Sequence, residues 1–275
     1  MDKIYKWVSW NRRLLNGLAW GLSFFWIFVL AVLKLYTTGI GILFVLFIGF
    51  VSYFSRYCTN KMLQKTHALW IHHCDPYPYL KEVQRNQYYF KKHNALEFYT
   101  VYGSLLIQIG EYHKACDVLL SFPAKKLAKM DGSKQFYYYY ALAEWCRGAG
   151  RREEAEKAYQ KAFALYREEK NEVIKEDIAK NMIDLEISYH LFCGEYKESM
   201  EKRKRESDTL FDNVAHKMMN GEAYFYMGEY EKARECFLYV IAHGNRLYIV
   251  EEARDFLKKM NAEDSRNALD KKSVK

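Results

Sequence analysis

Proline and glycine are scarce in this chain. The 275 residues include three prolines and fourteen glycines. A sandwich or barrel of short strands needs frequent turn residues, so this composition argues against one and favours long helices. Hydrophobic residues make up 50% of the chain and charged residues 28%. That balance excludes a disordered chain and fits a globular or mixed membrane and soluble protein.

The cysteines lack the close spacing of a metal-binding or redox pair. They lie at positions 58, 74, 116, 146, 193 and 236, and none forms a CxxC pair. The even number is a weak sign of disulfides, but at least four cysteines fall inside amphipathic helical patterns. We therefore expect buried or half-buried free thiols in a reducing compartment.

The motifs of common catalytic and nucleotide-binding families are absent. The sequence contains no GxxxxGK[ST], GxSxG or HExxH, and no GxGxxG follows a strand pattern. The densest group of candidate metal ligands is His67, His72, His73 and Cys74. Adjacent His72 and His73 point to different sides of a helix, whereas a metal site needs three or four convergent ligands. We interpret the group as a polar helix end, and we predict a non-catalytic protein without metal or cofactor.

Acidic residues are almost missing from the first 95 positions. That region has twelve Lys and Arg residues against three Asp and Glu, while the remaining 180 residues have thirty against thirty-one. The positive charge is therefore confined to the N-terminal part, and nothing in the rest of the chain favours nucleic-acid binding. A basic segment of this kind is typical of contact with the anionic headgroups of the inner membrane face.

Between positions 14 and 55 the only charged residue is Lys34. One helix of that length would be about 63 Å long, twice the hydrocarbon core of a bilayer. We therefore predict two spans, at about 14–35 and 38–55, that turn back at Lys34–Gly39. The positive-inside rule then predicts a two-span protein of the cell membrane with both termini in the cytoplasm. Its basic flanks are Lys3, Lys6, Arg12, Arg13, Arg56, Lys61 and Lys65.

Gly17 and Gly21 form a small-xxx-small pair within the first span. Such pairs let two helices approach closely in a membrane, which makes a homodimer through this span one option. The same pattern is common by chance, so the oligomeric state stays open.

The boundaries of the next segments follow from two prolines. Residues 1–58 form the N-terminal flank and hairpin, and residues 59–95 are predicted to be a helical linker. The helix of the second span should run on to about residue 74, because Pro76 and Pro78 interrupt it. A short helix is expected at 79–92. At the other end, we expect residues 261–275 to form a polar, disordered tail.

Four later segments share one spacing. In each, a small residue follows a glycine by five positions, and three of the four have a tyrosine two positions after the glycine. A glycine permits the left-handed backbone that ends a helix, and a small residue lets two helices pack closely. Apolar-periodic stretches lie on both sides, so we predict four helix-turn-helix units. The glycines and small residues are Gly110 and Ala115, Gly150 and Ala155, Gly194 and Ser199, and Gly228 and Ala233.

These units resemble tetratricopeptide repeats (TPR), helical hairpins that stack into a solenoid. The first and fourth match best, through Tyr102, Gly103, Gly110, Tyr112 and Ala115 and through Gly221, Tyr224, Gly228, Tyr230, Ala233 and Phe237. The third departs most, at Glu186-Ile187 and at Arg203. The resemblance implies an all-α fold in which a two-helix transmembrane hairpin precedes a TPR-like α-solenoid at 96–260. Its units would be 96–129, 136–169, 180–213 and 214–247, with a capping helix at 248–260; a related α-solenoid stays open.

The resemblance also implies a peptide-binding groove, which the first helices of the repeats would line. Carboxylates there would suit a basic peptide, and tyrosines would supply anchors. Solvated helix faces and half-buried packing are the alternative interpretations. Some relatives hold a C-terminal carboxylate with Lys, Asn and Arg, but only Arg147 and Asn181 are comparable here, so that activity is not transferred. The candidate groove residues are Glu97, Tyr137, Tyr140, Glu144, Asp184, Glu222 and Tyr226.

The sequence therefore predicts a membrane-anchored, non-catalytic interaction module that binds a protein or peptide at the cytoplasmic membrane face. The alternative is a structural or assembly subunit of a larger membrane complex, with the transmembrane hairpin as its main contact. An enzyme with a site near 67–74 is the least favoured hypothesis. The basic run Lys202-Arg203-Lys204-Arg205 is interpreted as a solvated surface, with lipid headgroups or an acidic partner as alternatives.

Overall fold

The computed structural model of the chain describes residues 2–32, 38–88, 95–202 and 209–273. The fold is all-helical, at 87% helix, and the described residues contain no strand. The chain divides into two compact units, residues 1–68 and 69–275. The predicted all-α class is therefore confirmed.

The first unit contains α1 (Asp2–Trp10), α2 (Arg12–Val32) and most of α3 (Thr38–His73). Two segments, Arg12–Ala31 and Ile40–His73, are long and apolar enough to cross a membrane. The first has 20 residues, or about 30 Å of helix, which equals the thickness of the hydrocarbon core. The predicted turn at Lys34–Gly39 lies largely outside the described residues.

Large apolar side chains cover the outer surfaces of α2 and α3. Phe28 and Val45 are each 68% exposed, which is typical of helices that face lipid. Contacts also join α3 to α2 and to α1, close to the basic flanks of the hairpin. The Ser55 hydroxyl donates a hydrogen bond to Asn16 Oδ1 over 3.3 Å, and the rings of Tyr5 and Tyr57 meet edge to face at 6.3 Å.

The prolines end α3 close to the predicted position. The helix stops at His73, and Cys74 adopts a positive φ of 53°. The next helix, α4 (Tyr77–Arg85), begins two residues earlier than expected. Pro78 lies in its first turn, where the missing amide would have no partner within the helix, so proline is tolerated there.

The second unit is built mainly from helical hairpins that surround the four predicted glycines. The further helices are α5 (Ala95–Gln108), α6 (Tyr112–Leu120), α7 (Ala124–Leu127), α8 (Gly132–Gly148), α9 (Arg152–Glu168), α10 (Glu172–Cys193), α11 (Tyr196–Lys202), α12 (Leu210–Tyr226), α13 (Tyr230–His243) and α14 (Ile249–Ser273).

The four hairpin turns share one backbone geometry. Every glycine has a positive φ, between 69° and 85°. In each turn the amide after the glycine donates to the carbonyl five residues earlier, as Glu111 does to Leu106 over 2.9 Å, which satisfies the last carbonyls of the first helix. The small residues Ala115, Ala155, Ser199 and Ala233 are fully buried. The structure therefore confirms the roles predicted for the glycine and the small residue.

Several details differ from the prediction. The third hairpin begins at Glu172, eight positions before its predicted start, while Arg203 and most of the basic run 202–205 lie outside the described residues. Helix α14 continues to Ser273 instead of giving way to a disordered tail, because residues 261–273 contain no proline or glycine to break it. None of the six cysteines forms a disulfide, but Cys193 is exposed rather than buried or half-buried.

The C-terminal helices of the second unit return to its beginning. Trp70, in the last turn of α3, packs edge to face on Phe211 of α12 at 5.3 Å. Asn245 donates a hydrogen bond to the His73 carbonyl over 2.7 Å. The Tyr248 amide donates to the Gln108 carbonyl over 2.9 Å, at the end of α5. The N-terminus of α14 therefore lies against the turn of the first hairpin.

We predict that Gly150→Ala lowers the free energy of unfolding by about 1–2 kcal/mol, the cost of a left-handed backbone for a residue with a Cβ atom. Gly150 has a φ of 69°, and an added Cβ would meet nothing within 4 Å, so backbone strain acts alone. Gly150→Asn should cost less, because asparagine tolerates this conformation. Urea unfolding of the full chain in detergent measures both, and equal losses for Ala and Asn would contradict this interpretation.

Candidate functional site

The return of α14 encloses a cavity of about 610 Å³, which we call the central cavity. Its walls come from α8, α12, α14 and the turn between α5 and α6. Apolar and aromatic side chains alternate there with charged ones. The charged residues are Glu144, Arg147, Glu222, Glu252, Asp255 and Lys259.

Helical spacing explains why these side chains converge. Tyr140, Glu144 and Arg147 are separated by four and three residues on α8, so they share one helix face. Glu252, Asp255, Phe256 and Lys259 follow the same spacing on α14. On α12, Ala215, Met218, Met219 and Glu222 do the same. Three helices thus each direct one mixed apolar and charged face at a common space.

Glu144 is held by two neighbours. The Tyr159 hydroxyl donates a hydrogen bond to Glu144 Oε1 over 2.9 Å, and Arg147 Nη2 lies 3.9 Å from Glu144 Oε2. The same Tyr159 hydroxyl lies 2.9 Å from the Ser188 hydroxyl of α10. Burial, and then the Glu144 charge, raise the pKa of Tyr159. This carboxylate is therefore fixed from two sides within the hairpin.

Arg147 carries a positive charge in a desolvated position. Burial alone would lower its pKa, but the carboxylates of Glu144 and Glu222 outweigh burial and raise the pKa of the guanidinium. Its Nε is buried and has no hydrogen-bond partner in the described part of the chain. Buried donors are normally paired, so Arg147 has unused capacity to donate.

Glu252 reaches the cavity from α14. It accepts a hydrogen bond from the Tyr112 hydroxyl over 3.1 Å. Burial, with a further contribution from the Glu222 charge, raises the pKa of Glu252 against the opposing effects of Tyr112 and Arg147. Burial, followed by the Glu252 charge, raises the pKa of Tyr112 as well. This hydrogen bond ties the last helix to the start of α6.

Glu222 differs from the other two glutamates. It is half-buried on α12, and no hydrogen bond or ion pair to its carboxylate occurs among residues 2–32, 38–88, 95–202 and 209–273. The negative charge of Glu222 nevertheless helps to raise the pKa of Arg147 and the pKa of Glu252. Glu222 is therefore a carboxylate that lies close to other ionisable groups but has no hydrogen-bond or ion-pair partner among the described residues.

The structure brings together three of the seven predicted groove residues. Tyr140, Glu144 and Glu222 line the central cavity. Tyr137 instead contacts α10, where its hydroxyl accepts from Asn181 Nδ2 over 2.9 Å. Tyr226 is 52% exposed and stacks on Tyr196 at 5.0 Å.

The other two predicted residues, Glu97 and Asp184, are exposed and lie outside the cavity lining. Asp184 acts on the cavity at a distance, since its charge adds to burial and to the Glu144 charge in raising the pKa of Tyr140. Burial raises the pKa of Tyr79, and the Glu97 charge raises it further. The predicted row of carboxylates is thus divided between the cavity and the surface.

Sequence reasoning missed the residues that α14 and the first turn contribute. The resemblance assigns residues 248–260 to a capping helix, so it does not place Glu252 and Phe256 in the groove. Their spacing with Lys259 was the available signal, because it marks one continuous helix face. No sequence pattern shows that Tyr112 lies beside Glu252, since the two are 140 positions apart.

The candidate metal ligands near the end of α3 do not converge. His72 and His73 are exposed, whereas Cys74 is fully buried. Burial raises the pKa of the Cys74 thiol to about 11, which favours its protonated form. Within the described ranges, no group of three or more His, Cys, Asp or Glu side chains is placed to hold a metal ion.

No family model, curated protein or solved structure matches this chain.

We predict that Glu252→Gln stabilises the protein increasingly as pH rises above the ordinary pKa of glutamate. The raised pKa of Glu252 means that the folded state binds this proton more tightly than the unfolded state. That stabilisation is present at low pH and is lost as pH rises through the folded pKa. Glutamine keeps an acceptor for Tyr112 but carries no charge, so the variant should not show this loss of stability with rising pH.

Urea unfolding of both proteins between pH 4 and pH 8 measures the difference. Other nearby groups also shift the pKa of Glu252, namely Tyr112, Glu222, Arg147 and Asp255. The stability of the variant is therefore compared with that of the wild-type protein at each pH. Glu235→Gln, on the exposed surface of α13, is the control and should give a smaller change. A constant difference between wild type and Glu252→Gln over this range would show that the Glu252 pKa is not raised.

Proposed function

We propose that this protein is a membrane-anchored, non-catalytic interaction module whose TPR-like α-solenoid binds a segment of a partner protein or peptide in the central cavity. The observation that carries the proposal is the cavity itself. Its lining combines apolar and aromatic side chains with charged ones. Two of the polar groups, Arg147 Nε and the Glu222 carboxylate, lack hydrogen-bond partners among the described residues. A concave site that combines apolar walls with polar groups able to bind a ligand is the usual form of a binding site.

The solenoid interpretation is supported by the repeated hairpin turn. Four turns of the same backbone geometry, each with a small buried residue in the following helix, are what stacked helical hairpins require. The second unit departs from an open stack in one respect, because α14 is hydrogen-bonded to the first hairpin. The resulting site has walls on several sides.

The membrane anchor is supported by α2 and α3. Both are long and apolar enough to cross a bilayer, and basic residues flank the ends that lie away from the connecting turn. We propose that these flanks contact anionic headgroups and that both termini are cytoplasmic. The binding module would then be held at the cytoplasmic face of the cell membrane.

Site-specific photo-crosslinking tests the binding function. A photoreactive amino acid at Met219, inside the cavity, should form an adduct with a defined protein in native membranes. The same probe at Leu238, which is 53% exposed on α13, serves as the control and should not form that adduct. Identical adducts from both positions, or none from Met219, would contradict binding in the cavity.

A second candidate function is a structural subunit that assembles through its membrane helices. Two observations favour it. Ser23 is 2% exposed and lies beside an apolar crevice between α2 and α3. Its hydroxyl has no hydrogen-bond partner among the described residues. Gly17 and Gly21 have open space beside them, as close packing of a homodimer or another helix would need.

Replacement of residues 1–55 by an unrelated transmembrane hairpin separates the two functions. Retained crosslinking from Met219 and retained function would favour the interaction module. Lost function with intact membrane localisation would favour assembly through the hairpin.

The single exposed cysteine gives a direct test of topology. Cys193 is exposed, and the other five cysteines are buried. A membrane-impermeant maleimide should therefore label the protein in permeabilised cells but not in intact cells. Cys193→Ser is the control, and it should abolish the labelling. Labelling of wild-type protein in intact cells would place the module outside and overturn the proposed orientation.

A further inference from the structure

We propose that the central cavity binds the positively charged side chain of an arginine or lysine in a partner chain, with Glu222 as the main recognition group. This inference rests on the proposed function and specifies its ligand. It follows from the charge of the cavity, from the unpaired state of Glu222 and from the character of the walls.

The inner charges of the cavity do not balance. Asp255 is ion-paired over 2.7 Å with Lys258, which lies outside the lining. Glu144, Glu222 and Glu252 therefore face two cations, Arg147 and Lys259, and the Lys259 ammonium already lies over the Phe256 ring at 5.0 Å. In a partly desolvated space such an excess of negative charge attracts a cation more strongly than it would in water. An anionic ligand would meet three carboxylates, so the unpaired Arg147 Nε does not by itself make an anion site.

Glu222 is the carboxylate that is available to a ligand. Glu144 already accepts from Tyr159 and Glu252 from Tyr112, whereas Glu222 makes no such bond within the described part of the chain. A neutral apolar ligand would remove water from Glu222 without replacing its hydrogen bonds, which is costly. A guanidinium or ammonium supplies donors and the opposite charge together.

Apolar residues in the walls of the cavity match the aliphatic part of such a side chain. Met219, Ala215 and Phe256 line the same cavity as Glu222 and can cover the aliphatic stem of a lysine or arginine. The Phe256 ring already stacks on Phe237 at 4.9 Å and carries the Lys259 ammonium at 5.0 Å, so it contributes apolar surface to the wall. A long side chain with an apolar stem and a charged end therefore matches the cavity better than a compact cation does.

Arg147 indicates that the cation belongs to a peptide chain. Its buried Nε has hydrogen-bonding capacity left, and a main-chain carbonyl of a bound segment would use that donor. The same segment would deliver its basic side chain to Glu222. Both unpaired groups of the cavity are then satisfied by one ligand.

Selection from a random peptide library on phage, against the full chain in nanodiscs, tests this inference. The selected peptides should share an arginine or lysine at a fixed position. Exchange of that residue for neutral citrulline or norleucine should weaken binding about ten- to a hundred-fold, the effect of losing a hydrogen bond between charged groups. Glu222→Gln should weaken binding by a similar factor, and Glu235→Gln, an equal charge change on the surface, should not.

A cavity-filling variant, Met219→Trp, makes the possible failures distinguishable. Peptides that lose affinity for this variant but need neither a basic residue nor Glu222 would overturn the cation inference and leave the binding function intact. Peptides whose affinity is unchanged by Met219→Trp, or a library that yields no binder, would count against binding in the cavity altogether. The citrulline exchange needs no protein variant, so its result does not depend on how Glu222→Gln folds.

Discussion

The contact between the start of α14 and the first hairpin is the constraint on which the central cavity depends. The Tyr248 amide bonds to the Gln108 carbonyl, and four residues later Glu252 accepts from Tyr112. Without these bonds, α14 would cover only α12 and α13, and its charged face would point to solvent. With them, charges from separate parts of the chain share one space, and the properties of each depend on the others.

Gly110 shows how much of this arrangement the sequence could predict. Its place in a fourfold pattern predicted a helix end with left-handed backbone, and its φ of 85° agrees. Its second role could not be predicted, because an added Cβ would lie 2.6 Å from the Tyr248 ring, and nothing local connects residues 138 positions apart. Local rules therefore gave the helices and turns, while the closure of the unit needed the structure.

The residues of the candidate site also fall into those that the sequence could predict and those that it could not. Tyr140, Glu144 and Glu222 could be predicted because each lies on the first helix of a hairpin, where the spacing places it on the inner side. Glu97 and Asp184 satisfy the same rule but lie outside the cavity, since the path of the chain as a whole decides which inner faces meet. Tyr112 and Glu252 come from a turn and from the last helix, so a rule based on first helices excludes them.

The central cavity is not arranged for stability alone. Half-buried carboxylates that outnumber their cations oppose folding. The raised pKa of Glu252, which is due first to burial and then also to the Glu222 charge, expresses that cost. A hydrophobic residue in place of Glu222 would remove the repulsion that Glu222 exerts on Glu252. Sites that bind ligands typically contain such locally unfavourable groups, because the ligand supplies the missing interactions. The excess negative charge beside an apolar wall is therefore better explained by a cationic ligand than by any requirement of the fold.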